Sequence, residues 1–167
     1  QQNLYGLADV LSIHTALKDW RLAEAKGVEP IDQDILSRAD CLLNKVIDFV
    51  SITNVNRIPY EISTLFAYIG ESGYITNLHG SGRPESGSEH IFAKSLEKRI
   101  DIPHGVSVSL GILLMSILQD NYSSDIAHTI NQIGTLKFIN ELGVTRSLVE
   151  EALAHSRVRG DRYSIIN

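Results

Sequence analysis

Residues 86–105 read SGSEHIFAKSLEKRIDIPHG, and the reading of this stretch decides the fold. Ser88 is a good helix N-cap, and Glu89 in the first turn suits the positive end of the helix dipole. A helix is expected from about Ser88 to Arg99. Asp101 to Pro103 breaks it, and a second helix starts at His104 and runs to about Asp120. Two of the six histidines in the chain, His90 and His104, therefore lie at the starts of consecutive helices, 104 − 90 = 14 residues apart.

Outward from this stretch the pattern stays helical. VSVSLGILLMSIL, residues 106–118, is the longest apolar region. It falls short of the ~18 apolar residues that span a bilayer, and serines and a glycine interrupt it, so it reads as a helix buried inside protein. Upstream, HGSGRPESGSE (79–89) is the richest loop, with three glycines, three serines and a proline. Residues 4–26 place Leu4, Leu7, Val10, Leu11, Leu17, Trp20 and Leu22 at spacings of three and four, and Gly27 is a stop. Pro30–Ile31–Asp32 starts a helix that runs to about Ile52, and Asn54 and Asn56 mark a turn. Pro59 opens the next helix, which reaches about Leu78. Downstream, Ser123–Ser124–Asp125 caps a helix expected to reach Glu141, with Gly143 ending it. Thr145 is the N-cap candidate of the last helix, and the tail DRYSIIN is expected to pair or dock. No strand, repeat or low-complexity tract stands out. The expectation is one all-α domain, a helical bundle of about seven helices over residues 1–167, with helix content far above the usual third.

Composition narrows the function classes. The 167 residues are 43% apolar and 21% charged, ordinary for a globular domain. The formal net charge of −5 and pI of about 5.6 argue against a nucleic-acid binder, which shows a basic balance. The single cysteine, Cys41, makes neither an internal disulfide nor a thiolate zinc site. Its place in DCLLNKVIDFV reads as core, and a reducing, cytoplasmic setting fits. The opening QQNLYGLADVL has neither an initiator Met nor a basic n-region. It does not read as a signal peptide, and the chain is expected to be a piece of something longer.

Two imidazoles suit zinc, iron or nickel, and a catalytic site needs a third ligand, often a carboxylate. Spacing alone leaves this open, because a lone histidine is more often a surface or structural residue. Three stretches together carry more. SGRPESGSEH followed by PHG resembles the motif of the iron-containing alcohol dehydrogenase and dehydroquinate synthase superfamily. Within it, LADVLSIHTALKDWRLAEAKG, with Asp9, Thr15–Ala16 and Asp19–Trp20, looks like the glycerol-1-phosphate dehydrogenase branch. The ending VRGDRYSIIN is similar to the Arg-x-Arg-Tyr-Thr-Ile ending of that branch. The resemblance runs from the first residues to the last.

The resemblance implies a divalent metal held by Asp9, His90 and His104, polarising an alcohol or ketone oxygen during hydride transfer with NAD(P). It implies an N-terminal α/β domain that binds the dinucleotide and is absent here, so this chain alone is expected to be inactive. It also implies a polyol or phosphorylated polyol substrate, no nucleic-acid or membrane partner, and a homo-oligomer at full length. Two other readings accompany it: a dehydroquinate-synthase-like sugar-phosphate cyclase, and a degenerate helical module without chemistry.

The sequence departs from the family at two places. Many members carry a second histidine four residues after the first, where this chain has Lys94. Lysine does not replace imidazole as a proton shuttle at neutral pH, but it can hold a substrate phosphate or carboxylate. The other reading of Lys94 is a solvated side chain beside Glu97 and Lys98. The iron-type alcohol dehydrogenases add a histidine one turn after the Asp; here that place is Ile13, and His14 is one step off the face. Ser86 and Ser88 are candidates for substrate contact, with Ser88 equally a helix N-cap. Trp20, Tyr60, Phe66 and Tyr68 read as core or domain-interface packing and Asp19 as structural. His128 and His155 lie away from the motif, and Glu150–Glu151 reads as a solvated helix face.

Overall fold

The computed structural model describes residues 4–139, 141–156 and 163–166. The helices run in the order α1 Gly6–Leu11, α2 Ile13–Ala25, α3 Gln33–Ile52, α4 Ile62–His79, α5 Ser88–Glu97, α6 His104–Leu118, α7 Ser124–Ile133 and α8 Arg146–Ser156. Short 3₁₀ turns at Ile58–Tyr60 and Thr135–Phe138 precede α4 and follow α7. Only Ser12 separates α1 from α2, and its backbone is itself near-helical (φ −64°, ψ −18°). The two segments follow one path, so the eight segments make seven helical bodies. No strand occurs among the described residues, and no helix among them is long and apolar enough to cross a membrane.

Local chemistry explains the boundaries. Asp32 caps α3 by accepting from the Asp34 and Ile35 amides at 3.0 and 3.1 Å. Thr145 Oγ1 accepts from the Leu148 amide at 3.3 Å and opens α8. α4 ends at Gly80, whose φ of 78° is left-handed and suits a residue without Cβ. The helix expected to reach Glu141 stops at Ile133. Gly134 takes the same left-handed conformation (φ 78°) and turns the chain into the 3₁₀ segment.

Burial forms two apolar clusters. Leu7 and Leu11 of α1 and Trp20 of α2 join Leu42 and Val46 of α3, Leu65 of α4, Ile112 of α6 and Ile130 of α7 in the first. Phe92 and Leu96 of α5, Val106 and Met115 of α6, and Ala152 of α8 form the second with Ile166. Each fully buried Leu, Ile or Phe contributes about 1.5–3 kcal/mol relative to exposure, which makes these clusters the main source of stability. α6 contributes to both clusters, and its glycines let it do so. A Cβ on Gly105 would stand 2.5 Å from Tyr5 O, and one on Gly111 would stand 2.7 Å from Glu89 O. The start of α6 thus lies against the chain leading into α1, and its middle lies against the first turn of α5.

One packing expectation needs correction and another is narrowed. Cys41 is exposed. α3 turns Ala39, Leu42, Leu43 and Val46 inward, which places Cys41 on the outer face with Arg38 and Lys45. Tyr60 in the 3₁₀ turn and Phe66 on α4 are 82% and 71% exposed, so of their two expected roles core packing does not hold and domain-interface packing stays an expectation. Trp20 is fully buried, and Tyr68 packs edge-on against Phe49. Part of the tail docks as expected: the Ile165 amide donates to Asp19 Oδ1 at 2.8 Å, and Tyr163 O accepts from the Arg83 guanidinium at 3.0 Å. Val158, Arg159, Gly160, Asp161, Arg162 and Asn167 of the C-terminal motif lie outside the described residues.

Candidate metal centre

The three residues singled out by sequence meet at one point. Asp9 Oδ1 of α1 lies 3.3 Å from His90 Nε2 of α5 and 3.3 Å from His104 Nε2 of α6. The two imidazole rings have centroids 5.4 Å apart and are tilted by 51°. One donor atom from each residue falls within 4.8 Å of the other two. In a tetrahedral site with bonds of about 2.0–2.1 Å, neighbouring donor atoms stand roughly 3.3–3.4 Å apart, so the carboxylate–imidazole spacing here is that of a tetrahedron edge. The donor set also fits a divalent ion: two neutral nitrogens and one carboxylate are the ligand types zinc and iron take in catalytic sites.

Behind the three convergent residues stand two carboxylates that sequence reading assigned elsewhere. His90 Nδ1 donates to Glu89 Oε1 at 2.9 Å, and His104 Nδ1 donates to Glu97 Oε1 at 2.7 Å. Each bond places the proton on Nδ1 and leaves Nε2 as the donor atom facing Asp9. Glu89 is fully buried and is also held by Thr15 Oγ1 at 2.7 Å and by the Gly87 amide at 2.5 Å. Ser107 Oγ donates to Glu97 Oε1 at 2.5 Å. Glu89 read as a helix-dipole residue and Glu97 as part of a solvated face. The only sequence signal for either was position: Glu89 immediately precedes His90, and Glu97 precedes His104 by seven residues.

The electrostatics follow from this geometry. Burial by itself would raise the Asp9 carboxyl, but the hydrogen bonds and charges of His104 and His90 outweigh it and lower the pKa to about 2. Burial would depress His90, yet Asp9 and Glu89 raise it to about 9. The hydrogen bond to Asp9 raises His104 despite partial burial, and Glu97 adds to it. Cationic charge is thus favoured at the point where the three residues converge.

α2 explains why the loop before α5 takes this shape. Thr15 grips Glu89, while Asp19 Oδ2 accepts from the Ser88 amide at 2.7 Å and Asp19 Oδ1 holds the tail. Ser12 Oγ sits between the carbonyls of Asp9 and Glu85, tying the loop to α1. Trp20 Nε1 donates to Pro30 O at 3.1 Å, and its ring meets His79 edge-on at 4.7 Å. The Thr-Ala and Asp-Trp pairs of the sequence are therefore the face that presents His90.

The remaining candidates divide. Ser86 is half-buried in the turn into α5. Lys94 is exposed, one turn after His90, in a cleft of about 620 Å³ that Lys98, Arg99, Glu97 and His155 also line. Glu97 belongs to both the cleft and the metal centre. His14 is not brought to the centre: its Nε2 lies 2.7 Å from Asn121 O, and burial lowers its pKa. His128 and His155 are exposed on α7 and α8. Asp19 is buried and structural, as expected.

Fold and centre together define an all-α domain with a candidate divalent-metal site of one carboxylate and two imidazoles. Over 96% of its length the chain is similar to the glycerol-1-phosphate dehydrogenase (NAD(P)+) of Methanobrevibacter smithii, with 32% identity over 173 residues. The same share of the chain is 32% identical to that of Hyperthermus butylicus and 30% identical to that of Pyrococcus abyssi. The chain spans about half the length of these relatives, 47% in each case. No family model matches it. Over the half it covers, the chain belongs with the glycerol-1-phosphate dehydrogenases.

Proposed function

We propose that this chain is the metal-holding C-terminal half of an NAD(P)-dependent dehydrogenase of glycerol 1-phosphate or a closely similar phosphorylated polyol. The observation that carries the reading is the convergence of Asp9 Oδ1, His90 Nε2 and His104 Nε2 at tetrahedral-edge spacing. The relatives' names supply the substrate and the nicotinamide cofactor. The dinucleotide is bound by the half of the protein that this chain does not span.

A divalent ion at this centre supplies Lewis-acid polarisation of the oxygen at the carbon that gives or receives hydride. The chain's own residues hold and orient. Asp9, His90 and His104 provide the three donor atoms, and Glu89 and Glu97 keep both imidazoles in the tautomer that offers Nε2. Lys94 supports a phosphorylated substrate. It is a cation one turn beyond His90, in a cleft with Lys98 and Arg99, and that cleft shares Glu97 with the centre. In this reading Ser86, half-buried at the entry to α5, is assigned as a second substrate contact.

The test joins metal analysis to turnover. The full-length protein is expected to carry about one equivalent of divalent metal per chain. Asp9→Ala, His90→Ala and His104→Ala should each lose it, together with NAD(P)-linked oxidation of glycerol 1-phosphate. A wild-type protein that takes up no divalent metal, or mutants that keep both metal and turnover, would reject the reading.

A further inference from the structure

We infer that Glu89 and Glu97 are positioning residues that complete the metal centre, each forming a carboxylate–imidazole pair that fixes which nitrogen of its histidine binds the ion. The inference rests on the metal reading above and deepens it.

The two pairs are alike although they are built from different elements. Glu89 and His90 are neighbours in the first turn of α5, whereas Glu97 ends α5 and reaches His104 at the start of α6. In both, a carboxylate oxygen meets Nδ1 within 2.7–2.9 Å, and in both Nε2 then faces Asp9 at 3.3 Å. A surface salt bridge would not need this agreement. Glu89 is more costly still, because a fully buried carboxylate loses its hydration. Three donors compensate it: His90 Nδ1, Thr15 Oγ1 and the Gly87 amide. Those bonds also leave the carboxylate little freedom to rotate, so the His90 ring is held in one plane. A carboxylate on the far nitrogen raises the basicity of the imidazole and strengthens it as a ligand, and losing such a partner typically weakens metal affinity about 10- to 100-fold.

Glu97 is the decisive test because it is partly exposed, so its replacement should not prevent folding. In the full-length protein, zinc affinity is measured by competition with a chromophoric chelator, and the visible spectrum is recorded with cobalt(II) at the centre. Glu97→Ala is expected to weaken zinc about 10- to 100-fold and to shift the cobalt bands, because the His104 ring is no longer held. Glu97→Gln keeps an oxygen that accepts from Nδ1 and should restore the spectrum and part of the affinity. Glu89→Gln likewise keeps an oxygen that accepts from His90 Nδ1 and should retain part of the affinity. A residue that merely supports the fold would lower the melting temperature of the metal-free protein and leave the cobalt spectrum of the folded protein unchanged. Wild-type affinity and spectrum in Glu97→Ala would overturn the inference while the centre itself stands, as loss of metal in Asp9→Ala would show. A wild-type protein that binds neither zinc nor cobalt would overturn both.

Discussion

At Gly87 a Cβ would stand 2.6 Å from Asp19 Oδ2 and 3.0 Å from both the Ala16 Cα and Glu89 Oε2. The residue sits where α2 and the first turn of α5 press together, and its amide is one of the three donors to Glu89. Gly87→Ala must push the loop off α2, at a cost of about 1–3 kcal/mol typical of overpacking. Denaturant titration is expected to show that loss. Zinc affinity should fall as well, because the displaced carboxylate belongs to the His90 pair; a stable variant with unchanged affinity would show that the contact is slack. Lys94 makes a different prediction. If it holds the substrate phosphate, Lys94→Ala should raise KM for glycerol 1-phosphate roughly tenfold or more, as expected for a lost charge-assisted hydrogen bond, and leave the weak turnover of glycerol alone. Equal effects on both substrates would assign Lys94 to something other than the phosphate. The convergence of Asp9, His90 and His104 was legible because a motif resemblance named them and the Pro103 break put the histidines at two helix starts. Glu89 and Glu97 were not legible. A glutamate in a helix's first turn or on its outer face already has an ordinary reason to be there, and one-dimensional sequence does not show that Thr15 lies against residue 89.

Side-chain caps fix the starts of α3, α7 and α8, whereas α5 begins at Ser88 itself behind Gly87, without the expected serine cap. Asp32 satisfies two orphan amides of α3, so Asp32→Ala should cost about 1 kcal/mol, read as a lower denaturation midpoint with an unchanged slope. Gly134 stands left-handed between α7 and the following 3₁₀ turn, and Gly134→Ala should cost about 1–2 kcal/mol in the same measurement. A neutral effect at Gly134 would mean that the segment relaxes into the longer helix expected from the pattern. That expectation failed because apolar residues continue at helical spacing past Ile133 and hide one backbone turn. The core reading of Cys41 failed, and that of Phe66 was narrowed to the domain interface, for a related reason. α3 has enough Leu and Val to fill its inner face without Cys41, and α4 is apolar nearly all round. Periodicity then marks a helix without saying which side faces inward. Where a start signal was a side-chain cap, as at Asp32, Ser123 and Thr145, the expected and observed starts agree within about two residues.

The centre draws on both apolar clusters. Asp9 comes from α1 in the first, His90 from α5 in the second, and His104 from α6, which belongs to both. A bound ion would therefore add a tie between parts already joined by α6, by Ala93 of α5 and by the Thr15–Glu89 and Asp19–Ser88 hydrogen bonds. At 100 times its dissociation constant it would add about 2.7 kcal/mol of stability. The size of that gain depends on pH, and the sign can be worked out. In the metal-free protein, Asp9 falls from 3.8 to about 2, so its contribution is present above pH 3.8 and is lost as pH falls through about 2. His90 rises from 6.5 to about 9, so its contribution is complete below pH 6.5 and is lost as pH rises through about 9. Both are complete only between pH 3.8 and 6.5, where the protonated imidazole itself does part of what a cation would do. Metal must displace that proton, so binding weakens in the same window and strengthens above it. Thermal melts of the full-length protein with chelator and with excess zinc, from about pH 5 to 8.5, should separate progressively as pH rises. Asp9→Ala should collapse the separation at every pH. A constant zinc-induced shift across that range would mean that the proton held between Asp9 and His90 does not compete with the ion, and the convergence of the three residues would need another cause.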